Sequence, residues 1–78
     1  MEKFPTNETL SILKLAKKFS VHTQKTSVKV IFSNSTGRTE SKIVGQYQIN
    51  EFTLNDNYNG FASVRFDSEE TYVDISTP

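Results

Sequence analysis

The residues that could do chemistry are few and scattered. His22 is the single imidazole, and there is no cysteine. A zinc centre built on His or Cys needs several such ligands at close spacing, so none is expected. Nucleophilic catalysis of the Ser–His–Asp kind needs an imidazole held by an acid and touching a hydroxyl. Nothing beside His22 in the sequence supplies either, and no Gly-x-Ser-x-Gly elbow occurs. Asp67, Glu69, Glu70 and Asp74 could offer oxygens to a hard cation, but their spacing is not that of an EF-hand loop and reads as a solvated turn. General acid–base work needs one carboxyl partly buried, and these acids cluster at an exposed-looking turn. The three glycines are isolated, so no phosphate-cradling loop exists. The expectation is no catalytic residue, no metal ligand and no cofactor, and hence not an enzyme.

Binding chemistry is better represented. The formal net charge is zero, yet residues 1–29 carry six lysines against two glutamates, a surplus of four positive charges. Residues 30–78 carry the matching surplus of four negative charges, three basic residues against seven acids. Such a chain can attract a charged partner or its own copies, or the two halves can meet within the fold. Lys14, Lys17 and Lys18 form the densest basic cluster. They could contact phosphates or an acidic protein groove, although lysines give point charges rather than bidentate grips. Tyr58, Phe61 and Tyr72 are the aromatics with the best claim to a surface. Tyr72 should point away from its apolar neighbours Val73 and Ile75, toward an uncovered sheet face. Lys14, Lys17, Lys18, Tyr58, Phe61 and Tyr72 are therefore the candidate partner-binding residues.

One stretch carries a resemblance. Asn59-Gly60-Phe61-Ala62-Ser63-Val64-Arg65-Phe66 resembles the aromatic strand signature of the RNA-recognition motif, in which Gly60, Phe61, Ala62, Val64 and Phe66 would match. The resemblance implies RNA binding with Phe61 stacked on a base. It covers eight residues. Asn59 stands in place of a basic residue and Ser63 in place of an aromatic. The family's helix and strand would barely fit between Asn34 and Asn59, where no amphipathic helix reads. Asn-Gly is a strong hairpin signal because both residues tolerate positive φ, and the stretch reads better as a turn feeding a strand.

The elements that must position these residues follow from periodicity. Pro5-Thr6-Asn7-Glu8 has helix-start chemistry. From there to about Ser20, Ile12, Leu13, Leu15, Ala16 and Phe19 fall on one side of a 3.6-residue period, with Ser11, Lys14, Lys17 and Lys18 opposite. After Lys25 the chain turns rich in β-branched and aromatic residues with turn signals at short intervals. Strands are predicted over Ser27 to Ser33, Thr39 to Gln48, around Phe52 and Leu54, Phe61 to Phe66, and Thr71 to Ser76. Gly37 and the run Asn55 to Gly60 mark turns. The predicted fold is one α+β domain over 1–78. It has one N-terminal amphipathic helix packed on one face of a four- to five-stranded antiparallel β-meander.

At 78 residues the core is small, and partner binding would add stability. The start of the chain lacks the basic-then-apolar pattern of a signal peptide. The expectation is a soluble cytoplasmic protein that acts without catalysis. It would be an inhibitor, adaptor or assembly subunit on a larger protein, of viral or mobile-element type, or would pair with itself as a homodimer. The alternative is a nucleic-acid-binding protein using the lysine face and strand aromatics.

Overall fold

In the computed structural model, which describes all residues Met1–Pro78, eight strands form two four-stranded sheets. The strands are β1 (Glu2–Pro5), β2 (Leu10–Ser11), β3 (Lys18–His22), β4 (Val28–Ser33), β5 (Thr39–Val44), β6 (Ile49–Thr53), β7 (Ser63–Asp67) and β8 (Tyr72–Ser76). The first sheet runs β1-β8-β3-β6 and the second β2-β7-β4-β5. Every ladder is antiparallel. Strands pair as 1 with 8, 2 with 7, 3 with 6 and 4 with 5, which is one long hairpin with its tip at Asn34–Arg38. Rolling that hairpin on itself adds the β3–β8 and β4–β7 ladders. This is the jelly-roll arrangement, a sandwich of two antiparallel sheets.

The N-terminal helix predicted over residues 6–20 does not form, and the sheet is not a meander. The only helical turns are 3₁₀ turns at Ile12–Lys14 and Tyr58–Gly60. Only β4 and β5 are consecutive strands paired with each other. The apolar spacing that suggested a helix is met in another way. Ser11 caps the first 3₁₀ turn by accepting from the Leu13 amide at 3.3 Å. The Leu15 amide then donates to the Ile12 carbonyl at 3.0 Å. Ile12 and Leu15 both point inward from that single turn, while Leu13 stays 76% exposed. From Lys18 onward the period becomes two, burying Phe19 and Val21. A helix would have given Phe19 only Leu15 and Ala16 along its own face. Extended, it pairs with Phe52 in register, and the rings stack at 5.2 Å. Tertiary pairing from both β6 and β8 thus overrides a modest local preference.

Downstream, the strand readings hold with shifted ends. Val28, Val30 and Phe32 of β4, Val64 and Phe66 of β7, and Val73 and Ile75 of β8 all face inward. Gly37 takes φ 90 at the hairpin tip, as the turn requires. The predicted strand Thr39 to Gln48 stops at Val44, because Gly45–Gln48 carries the chain across to the other sheet. The Asn59-Gly60 turn likewise joins strands of different sheets rather than closing a hairpin. One core of 16 residues lies between the sheets. Phe66, at its middle, meets Phe4 edge-on at 6.0 Å. No helix is long and apolar enough to cross a membrane.

The two architectures differ in what they ask of adjacent residues. Phe19→Ala should cost about 3–5 kcal/mol in denaturant unfolding, the usual loss for an aromatic cut from a core. Leu13→Ala should stay within about 0.5 kcal/mol, as for an exposed site. A large loss at both positions would restore the helix.

Candidate functional site

Four connections meet at one end of the sandwich: residues 6–9, 23–27, 45–48 and 68–71. Two buried threonines tie them together. The Thr6 hydroxyl donates to the Glu70 carbonyl, and the Thr6 amide donates to the Thr71 carbonyl at 3.0 Å. The Thr23 hydroxyl donates to the Gly45 carbonyl and accepts from the Gln48 amide at 2.9 Å. Asn7 reaches the Ser68 carbonyl at 2.8 Å, and the Gln46 side chain reaches the Lys25 carbonyl at 2.6 Å. β-branched threonine has a stiff side chain and one hydroxyl that can both give and accept, which suits a buried junction between loops.

Tyr47 sits in the β5–β6 connection of this end. Its φ is 53, a left-handed value that costs a non-glycine residue roughly 1–2 kcal/mol. Thr23 anchors the turn on both sides of it, and its own amide donates to the Gln24 carbonyl at 2.9 Å. The ring is 71% exposed. Strain held in place beneath an exposed aromatic is an observation from which a binding role can be argued.

A groove of about 440 Å³ runs from Tyr47 onto the outer face of the β1-β8-β3-β6 sheet. Its lining includes Lys3, His22, Lys25, Glu70, Tyr72 and Asp74. Strand register explains the grouping. Lys3 lies opposite Asp74, Asp74 opposite His22, and His22 opposite Ile49, so four outward side chains form one row across the sheet. Lys3 Nζ meets Asp74 Oδ1 at 2.9 Å. His22 Nε2 lies 2.7 Å from Ser76 Oγ.

Ser76, His22 and Asp74 are the residue types of a hydrolytic triad, and sequence reading missed their meeting because 54 positions separate His22 from Ser76. The only advance signal was the alternation in β8, which puts Tyr72, Asp74 and Ser76 on one face. The geometry supplies the hydroxyl–imidazole half of a triad. The acid half is absent, because the Asp74 carboxylate is engaged by Lys3 and does not hold the imidazole. An unsteered imidazole on an open sheet face can accept a proton but cannot be kept aimed at a substrate.

The predicted binding residues are dispersed. Tyr72 is exposed in the groove as expected, at 56%. Lys14 lies on the first 3₁₀ turn, Lys17 in the following loop and Lys18 on the outer face of β3, so no single lysine face exists. Lys17 meets Asp56 at 3.1 Å and Lys18 meets Glu51 at 3.8 Å. These pairs join the basic and acidic halves of the chain within the fold. Phe61 is buried, stacked on Phe32 at 5.6 Å, with the Arg38 guanidinium 4.6 Å above its ring. Tyr58 packs against the core and donates its hydroxyl to the Leu15 carbonyl at 3.1 Å. Neither ring stands free as a stacking platform. Ile43, Tyr47 and Ile49 were not among the predicted binding residues. They are exposed at 65%, 71% and 66%.

Compared with known proteins, the chain matches no family model, no curated protein and no solved structure. Strand order alone therefore gives its architecture, and fold class does not carry function.

Two measurements check this end of the molecule. Thr23→Val keeps shape and removes the shared hydroxyl. It should cost about 1–3 kcal/mol and speed amide exchange at Gln48. A fluorophosphonate probe should leave Ser76 unlabelled. Labelling that disappears in His22→Ala would mean that the pair is chemically active.

Proposed function

We propose that the protein is a small non-catalytic binding module that docks onto a larger protein through the Tyr47 end of its sandwich. One observation carries this reading. Of six exposed large apolar residues, Ile43, Tyr47, Ile49 and Tyr72 all lie next to the loops of that end. Tyr47 marks the β5–β6 connection, Ile49 and Tyr72 the outer face of one sheet, and Ile43 the outer face of the other. Scattered apolar residues are ordinary on a surface, but a concentration edged by charge marks a contact site. Tyrosine is favoured in protein interfaces because a rigid ring and a polar tip bury area at little entropic cost.

A protein fits better than a nucleic acid. On this surface Lys3 and Lys25 stand with Glu70 and Asp74, so no continuous basic track follows a phosphate backbone. A different protein fits better than a second copy joined along β5. The free edge of β5 carries Glu40 and Lys42 on its inward side, a device that discourages strand addition. The role is that of an inhibitor, adaptor or assembly subunit. The absence of cysteine is compatible with a reducing, cytoplasmic setting.

The test is capture from the native host, identification by mass spectrometry, and titration of the recovered partner against purified variants. Tyr47→Gly and Tyr72→Ser should each weaken binding by roughly thirtyfold or more, the size of an interface hot spot. Tyr47→Gly should leave stability within about 1 kcal/mol, because glycine relieves the left-handed strain. Binding that ignores both variants, or that vanishes with nuclease and with Lys14→Ala/Lys17→Ala/Lys18→Ala, would overturn the reading.

A further inference from the structure

The two sheets do not close on each other along the side where β5 and β6 lie. These strands follow one another in the chain but belong to different sheets and share no ladder. Four core residues on that side keep a trace of surface. Phe32, Phe52, Leu54 and Phe61 keep 5–9% of their surface, whereas Val30, Val44 and Phe66 keep none. All four line one cleft of about 280 Å³. Its floor is aromatic: Phe32 stacks on Phe61 at 5.6 Å and meets Phe52 edge-on at 6.0 Å.

The mouth is charged. Glu40 and Lys42 project from β5 on the same side of the strand as buried Val44. Glu40 is taken by Arg38 at 3.0 Å, and Arg38 also lies over Phe61 and donates to the Asn59 carbonyl at 3.3 Å. Lys42 joins none of the molecule's ion pairs. Its ammonium stands 5.6 Å from the centre of the Phe52 ring. Arg38, Glu40 and Lys42 together leave one positive charge, held by Lys42, above an apolar floor.

We propose that this cleft binds a medium-chain or aryl monocarboxylate, with its tail on Phe32, Phe52, Leu54 and Phe61 and its carboxylate on Lys42. Apolar walls with a single placed charge are the usual make-up of a small-molecule site. The cleft is small, so a short tail suits it better than a long fatty chain, and octanoate serves as the probe. A dianion would meet the Glu40 carboxylate with only one free cation to offset it. The site lies on the open side of the sandwich, away from the Tyr47 end, and stands or falls independently of the partner surface.

Amide-resolved NMR titration of the full chain with octanoate, octanol and acetate tests it. Octanoate should give saturable shifts at Phe32, Lys42, Leu54 and Phe61, and acetate none. Lys42→Gln should weaken octanoate about tenfold and leave octanol unchanged, since a charged hydrogen bond is worth about that factor. Lys42 is exposed, so the variant should fold as the parent does. Lys42→Arg should retain most of the affinity. Shifts centred on Tyr47 and Tyr72, equal binding of octanol and octanoate, or indifference to Lys42→Gln would each overturn the proposal.

Discussion

Each long strand in this chain has one face to give to the core, and two sheets must share those faces. That period-two constraint organises everything else. Val21, Val30, Val64, Phe66 and Ile75 meet between the sheets with almost no surface left to water. Alternate residues are thereby forced outward. Lys3, His22, Ile49, Tyr72 and Asp74 reach the same outer face because their neighbours are committed to the interior. In a chain this short the inner faces fill completely with packing, and binding chemistry is left to the outer faces, loop ends and open edges.

The rolled-hairpin topology then decides which outward residues meet. Its ladders join positions far apart in sequence, such as Glu2 with Ile75. Ordering such pairs carries a large loop-closure cost and tends to make folding slow. The same long-range pairing brings Ser76 to His22 and Asp74 to Lys3. It gathers four connections at one end, where Thr6 and Thr23 satisfy loop carbonyls and Thr23 brackets Tyr47 in its left-handed conformation.

Much of this was legible in the residues from Lys25 onward. Alternation in Val28-Lys29-Val30-Ile31-Phe32 and in Tyr72-Val73-Asp74-Ile75 marked strands and their inner faces, and Gly37 marked the hairpin tip. Residues 6–20 misled because Ile12, Leu15 and Phe19 are spaced as a helix would space them. A single 3₁₀ turn followed by a strand buries the same three side chains. Strand order was not legible, because alternation tells which face a residue takes and not which strand lies beside it. The groove and the cleft both arise from strand order. Tyr47 and Ile49 were visible as residues, but their exposure depended on a crossing between sheets at Gly45 that one glycine could not announce.

The account rests on β3 being a strand clasped between β6 and β8. A nuclear Overhauser spectrum of the folded chain tests this most directly. Cross-strand backbone contacts should connect Val21 with both Ile75 and Asn50, and Phe19 with Phe52. Successive amide–amide contacts running unbroken from Glu8 to Ser20, without those cross-strand peaks, would contradict the fold and the surfaces built on it.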